Sequence, residues 1–320
     1  MTTESARLNE PSGRNFVLYE LNYALTDGLF EPAQRTKDAR FHYREAVREL
    51  ERKYQDWKGK EIIEPVTLTF WYPSTINTQA ESVLLAILKI AGVEQLEVQP
   101  NQLILPLFAG IDDPGRAPEK PSAKAICSMY ELLKVAGMGN DKKSYKQLKF
   151  YIDELSKTSV KWRNHATKWE GRWNLLGYTV NDDGSLVIQV NWRLALGILG
   201  RAYYAEIDLD ERNALKKDAS KTLHRWLSAH LRRQIGNRQE YITYEKLLEH
   251  IWSQKATPAA QRKRLERLKN EVLPEIGKLT GWTVERKAEG AVITHHQGNY
   301  RPNNPPQPKA PKKDKLKATK

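Results

Sequence analysis

Thr257-Pro258-Ala259-Ala260-Gln261-Arg262-Lys263-Arg264-Leu265-Glu266-Arg267-Leu268-Lys269-Asn270-Glu271-Val272 joins a turn to a helix with two unlike faces. Pro258 suits the first turn of a helix predicted from about Ala259 to Leu279. With Leu265 as origin and roughly 100° per residue, Leu265, Leu268, Val272, Ile276 and Leu279 share one stripe. Lys263, Arg267 and Asn270 fall within about 40° of the opposite side. Arg and Lys are the residue types that reach guanine in a major groove, and Asn is the one that reaches adenine. Arg262, Arg264 and Lys269 lie on the flanks, where phosphates would run. A basic helix face is most often solvated surface. Here, however, Gln261-Arg262-Lys263-Arg264 occupies the first turns, where the helix dipole disfavours cations. Stability alone would place acids there, so the run points to a polyanionic partner.

The surroundings of this helix complete a motif. Trp282 to Val284 and Ala291 to Thr294 read as strands around a hairpin at Glu289-Gly290, with Lys287 beside it. Upstream, Asp218 to Ile235 reads as a helix ending before Gly236-Asn237. Tyr241 to Thr243 is a short strand, and Tyr244 to Trp252 a short helix with Leu247, Leu248 and Ile251 inward. This order is that of a winged helix-turn-helix.

The same order is read earlier in the chain. Ser122 to Ala136 is predicted helical, Gly137, Gly139 and Asn140 break it, and a second helix runs from about Asp141 to Ser156. Two strands, Trp173 to Val180 and Leu186 to Trp192, meet at the turn Asn181-Asp182-Asp183-Gly184. The second helix packs with Tyr145, Leu148, Ile152 and Leu155 and shows Lys142, Lys143, Lys146 and Lys157, with Phe150 and Asp153, on its other face. Lys143 and Lys146 are its candidate DNA contacts. Phe150 reads either as an exposed contact residue or as packed on the hairpin. Trp162, Trp169 and Trp173 read as core and cross-strand packing ahead of base stacking.

Before this module, Asp38 to Lys58 reads as a charged helix with Phe41, Val47, Leu50, Tyr54 and Trp57 on a stripe. Ile62 to Tyr72 is a strand ending at Pro73. A core helix capped by Asn77 or Thr78 runs to Ala91, and Asp112 to Pro121 is a Pro/Gly/Asp-rich loop. The expected class is therefore α+β: two tandem winged helix-turn-helix domains, an N-terminal charged helical segment and a disordered basic C-terminal tail. The divisions are an arm over 1–36, a first winged unit over 37–200, a second and basic one over 201–296, and a Pro/Lys-rich tail over 297–320.

Charge follows these divisions. Residues 1–209 carry 27 basic and 27 acidic side chains, residues 210–296 carry 18 and 11, and residues 297–320 carry 7 and 1. The net +13 of the 320-residue chain thus falls wholly behind residue 209. Such asymmetry suggests a polyanion docking on one end, with nucleic acid the first candidate.

Other classes find no support. With 9 Trp, 14 Tyr, 6 Phe and 40% hydrophobic residues, two cores can form and wholesale disorder is excluded. The single cysteine, Cys127, cannot make an internal disulfide, and scattered histidines supply no metal cluster. The longest apolar run, Val83 to Val93, is cut by Lys89 and falls short of the ~20 residues of a membrane span. No apolar signal segment is seen near Met1, so a cytoplasmic protein without membrane partners is expected. Gly137-Met138-Gly139-Asn140-Asp141-Lys142-Lys143-Ser144 lacks the glycine a phosphate loop needs before its Lys-Ser pair. His295-His296 reads as a pair of surface imidazoles, and Asp182-Asp183 belongs to a turn. No catalytic residue, metal site or cofactor is expected.

Asp218-Ala219-Ser220-Lys221-Thr222-Leu223-His224-Arg225-Trp226-Leu227, then Gln261 to Leu268, Leu273-Pro274-Glu275 and Gly281-Trp282-Thr283-Val284, resemble the IncQ-type RepC plasmid replication initiators. That group is related in architecture to the TrfA initiators. Weaker matches are Leu25-Thr26-Asp27-Gly28-Leu29-Phe30, Gly184 to Leu194 and Ile207-Asp208-Leu209-Asp210. The charged segment Asp38 to Lys58 and the lysine-rich tail depart from the family pattern. The resemblance implies a non-catalytic protein that binds directly repeated origin sites (iterons) in double-stranded DNA, promotes strand opening and helps load a replicative helicase, with primase a further possible partner. It also implies two winged helices, the first able to exchange DNA contact for homodimer contact.

Two other readings compete. A winged-helix transcriptional repressor would bind a single operator palindrome, where an initiator has direct repeats of ~20 base pairs, about two helical turns, beside an AT-rich stretch. A rolling-circle nicking enzyme would form a covalent tyrosine adduct.

Overall fold

The computed structural model describes residues 15–32, 43–55, 61–94, 122–166, 168, 170–198, 204–231, 238–254 and 256–296. β1 (Phe16–Glu20) and α1 (Leu21–Ala24) precede two long antiparallel strands, β2 (Tyr43–Gln55) and β3 (Glu61–Pro73). The apolar helix α2 (Thr78–Ile90) follows, with Asn77 Oδ1 accepting from the N–H groups of Gln79 and Ala80. Then come β4 (Gly92–Glu94), β5 (Ser122–Cys127), α3 (Met129–Val135) and α4 (Lys142–Ser156). β6 (Ser159–Asn164), β7 (Glu170–Asn174), β8 (Leu176–Val180), β9 (Leu186–Val190), α5 (Trp192–Ile198) and β10 (Tyr204–Asp208) complete this part. Two antiparallel sheets, β2-β3-β6-β7 and β4-β5-β9-β8, and the pair β1-β10 enclose one core in which Val83 to Leu88 of α2 are all buried.

A second core forms behind α6 (Leu209–Ala214). It is built from α7 (Asp218–His230), β11 (Arg238–Thr243), α8 (Tyr244–Ile251), α9 (Pro258–Arg267), a π-helical segment (Leu268–Val272), α10 (Leu273–Ile276), β12 (Trp282–Arg286) and β13 (Gly290–His295). The three strands pair in the order β11-β13-β12. At the hairpin a Cβ on Gly290 would lie 2.4 Å from Ile242 O, so strand contact demands glycine there.

The two cores share α7, whose residues Ala219 to Ala229 are all buried. One side carries Leu223, Trp226 and Leu227 into the second core. The other meets a fully buried ionic cluster: Glu81 of α2 accepts from Arg212 at 2.7 Å and from Arg225 at 3.3 Å. Arg212 also donates to Lys221 O at 3.0 Å, and Thr222 Oγ1 to Phe30 O at 3.3 Å. Buried charge is tolerated only where partners converge in this way. Further ties run from Asp27 to His250 at 2.9 Å and from the Ser253 N–H to Glu31 at 2.6 Å. Trp226 is stacked between His230 and His250.

Several expectations are corrected. The charged helix read over Asp38 to Lys58 is, where described, the strand β2. Ala46 is buried and Arg44, Arg48 and Leu50 half-buried, while Tyr43, Glu45, Val47 and Glu49 between them are exposed, a period of two. Pairing along its whole length with β3 overrides the helix propensity of its Glu, Lys and Arg residues. The helix expected from Ser122 begins only at Met129, behind the cap Ser128. Ala123, Ala125 and Cys127 are buried in alternation on β5, which pairs with β9. The single strand read from Trp173 to Val180 is two: β7 pairs with β6 in one sheet, and β8, beyond Leu175, with β9 in the other. The helix predicted to Ile235 ends at His230, residues 232–237 lying outside the described set. The stretch 112–121, Trp169 and the tail 297–320 also lie outside it.

Candidate nucleic-acid interface

α9 begins as its sequence dictates. Thr257 Oγ1 accepts from the Ala260 N–H, and Pro258 stands in the first turn. α9, the π segment and α10 form one continuous helical rod packed through Leu268, Val272, Leu273 and Ile276, with Leu265 half-buried. Gln261, Arg262, Lys263, Arg267 and Asn270 are all exposed on its open side. The inward stripe and the outward basic set are the ones the helical spacing separates.

Three cations of this rod, Arg264, Arg267 and Lys269, lie against aromatic rings. Arg264 donates to Gln254 O at 2.8 Å and lies over the Trp252 ring at 5.6 Å. Arg267 lies 6.0 Å from the same ring and 3.6 Å from Glu271. Lys217, 2.7 Å away, holds the Glu271 carboxyl below the usual carboxylate range, so Glu271 stays an anion beneath Arg267. Lys269 Nζ sits 4.3 Å from the Tyr244 ring. Both guanidinium groups thus lie within cation–π range of one indole ring. Lys287 is exposed on the hairpin, paired with Glu285.

α4 is built differently. Gly137 ends α3 in the left-handed region (φ 67), and a Cβ there would meet Asn213 Oδ1 at 2.5 Å. Asp141 then caps α4, accepting from the Lys143 and Ser144 N–H groups at 2.8 and 2.9 Å. These bonds, the Ser144 N–H foremost, hold its carboxyl below the usual range. The N–H groups that a phosphate loop would offer are thus taken by the chain's own carboxylate. Leu148, Ile152 and Leu155 are buried, while Lys142, Lys143, Lys146 and Lys149 are exposed beside Phe150. Phe150 is 44% exposed, so it is not packed on a hairpin.

Trp162 and Trp173 are core residues, and Trp173 Nε1 faces the Tyr23 hydroxyl at 3.4 Å. His295 is corrected: its imidazole is buried and stacked on Trp282 at 4.2 Å, because the last pair of β12 and β13 sets the two rings side by side. His296 is exposed and bonded to Thr283. Sequence reasoning missed three supports of the interface, Trp252, Tyr244 and Arg286. Trp252 and Tyr244 bracket the short helix already read as apolar, which was the available signal. Among the described residues no three His, Cys, Asp or Glu side chains are placed to hold a metal ion, and no helix is long and apolar enough to cross a membrane.

The described residues thus form two mixed helix-and-sheet units, one bearing an open Arg/Lys/Asn helix face beside a hairpin, and the family comparison says which class of protein carries them. Residues 117–295 match the model of the family Replication protein C (RepC), and the chain belongs to that family. Among solved structures the chain is similar to the selenomethionine derivative of domains 2 and 3 of RctB, at 14% identity over 87% of this chain and 97% of that one, with TM-score 0.46. A second structure of RctB domains 2-3 shares 10% identity over 86% and 95%, with TM-score 0.43. The Pi initiator protein in complex with iteron DNA shares 15% identity over 69% and 90%, with TM-score 0.42. No curated protein sequence matches the chain.

Proposed function

We propose that the chain is a plasmid replication initiator that binds directly repeated origin sites in duplex DNA through two winged helices. In this reading α7, α8, α9 and the β12–β13 hairpin form the second winged helix, and α3, α4 and the β8–β9 hairpin the first. The observation that carries it is the exposed set Gln261, Arg262, Lys263, Arg267 and Asn270 on a helix whose other side is sealed in the core. Family membership supports it. Arg267, Lys263 and Asn270 read base edges, and Arg262, Arg264, Lys269 and Lys287 meet phosphates. Lys143 and Lys146 on α4 serve the neighbouring groove.

The protein acts without catalysis of its own. Binding and DNA deformation promote strand opening, and a separate replicative helicase, with primase, uses the opened site. A homodimer through the first unit is the alternative use of that surface.

A nuclease footprint of the purified protein on its plasmid origin tests this. Protection of tandem direct repeats, each about two helical turns long, is expected. Protection of one promoter palindrome alone would instead assign a repressor, and a covalent tyrosine adduct on single-stranded origin DNA a nicking enzyme.

A further inference from the structure

The reading helix is not a regular α-helix, and its irregularity is tied to the hairpin. In the segment Leu268–Val272 the Leu273 N–H reaches back five residues to Leu268 O. In an α-helix it would serve Lys269 O. The next residue, Pro274, has no N–H to offer Asn270 O. Two successive carbonyls thus lose their ordinary helical donors at the point where Asn270 is displayed. Nη1 of Arg286, on β12 and 17 residues away, donates to Lys269 O at 3.2 Å.

Neighbouring contacts close a ring around this bond. The Lys269 ammonium lies over Tyr244, and the Tyr244 hydroxyl donates to Lys287 O at 2.8 Å. The Tyr244 N–H donates to Glu289 O at 3.0 Å. Hairpin, short helix and bulged reading helix are therefore joined at one place. π-Bulges rotate the side chains beyond them and recur at functional sites.

We propose that Arg286 is a positioning residue: its bond to Lys269 O sets the aim of Asn270, and hence the base preference at the one base pair that Asn270 reads. The proposal rests on the reading of this helix as the base-reading element. It makes the hairpin part of sequence discrimination without any base contact of its own. Arg286 acts here through the helix and not as a phosphate ligand.

The test uses the full chain, a duplex carrying one footprinted repeat, duplexes with each base pair of that repeat substituted singly, and a scrambled duplex. Arg286→Ala is expected to lower discrimination at one base pair by about fivefold or more. Asn270→Ala is expected to lower it at the same base pair, and the double variant to match Asn270→Ala alone. Arg286→Lys, which keeps one donor of sufficient reach, should retain most of the discrimination and guards against a folding defect in the alanine variant.

Equal loss on every duplex, with a shallower salt dependence, would make Arg286 a phosphate contact and overturn the proposal. So would a loss at a different base pair, additive losses in the double variant, or loss of discrimination with lysine. If the unaltered protein fails to prefer the repeat at all, the proposed function falls and this inference with it. If the unaltered protein discriminates and Asn270→Ala changes nothing, only the inference falls.

Discussion

α4 and α9 both follow a shorter helix and a turn and precede a hairpin, yet they are equipped for different work. α4 shows four lysines, and its N-terminal donors are occupied by Asp141. α9 shows Arg, Lys and Gln, with two arginines near Trp252, and runs on into a π segment that shows Asn270 and is bonded by Arg286. Lysine is a mobile point charge suited to phosphates, whereas an arginine or asparagine held in one plane can read a base edge. Under the proposed function the contrast gives general grip to the first unit and sequence discrimination to the second, while α7 packs into both cores.

The buried ionic cluster beside α7 carries the largest expected effect. Glu81→Ala leaves Arg212 and Arg225 buried without their shared carboxylate and should cost about 3–5 kcal/mol of unfolding free energy. A denaturant midpoint measurement checks it, and a loss under about 1 kcal/mol would show the two units to be joined by other means. Next, Arg267→Ala should cost roughly 1–3 kcal/mol of binding to the footprinted repeat and little on scrambled DNA. Equal losses on both would erase the contrast between the helices.

The double variant Lys143→Ala, Lys146→Ala should instead weaken binding on all duplexes alike and make the salt dependence shallower by about two units of slope. If it alters base preference, α4 is a reading helix after all. Deleting residues 297–320 should likewise flatten the salt dependence while leaving preference intact.

The smallest effect concerns Glu211 at the joint. Burial pushes its carboxyl up, but hydrogen bonds from His224 and Trp282 outweigh this and hold it below the usual range. A carboxylate depressed on folding stabilises the native state above its unfolded pKa, and that contribution disappears as pH falls through the folded value. Glu211→Gln should therefore flatten the acid limb of the stability profile below about pH 4.3, the ordinary glutamate value, in melts across pH.

How legible each part was follows from whether its signal is local. The inward stripe of α9, the cap Asn77 and the hairpin at Gly290 are set by residues within a turn or two of one another. Asp38 to Lys58 reads as a helix, and is a strand over Tyr43–Gln55, because alternating charged and apolar residues fit a strand edge and a solvated helix equally. Nothing near Leu175 announces that the chain changes sheets there. Arg212 and Arg225 look like surface charges until Glu81, more than a hundred residues away, is brought between them. The helix predicted from Ala259 to Leu279 runs through Pro274 without a break, and the partner of the freed carbonyl depends on strand register.

By itself the sequence determined which helix would be basic and outward, because 3.6-residue periodicity and the helix dipole act within one element. It also located the net charge, which no folding can move along the chain. Tertiary structure alone decided that β2 is a strand, that two guanidinium groups are buried at a shared helix, and that Arg286 holds the bulge. These outcomes depend on hydrogen bonds and desolvation between residues far apart in the chain, and such energies exist only once the distant partners have met.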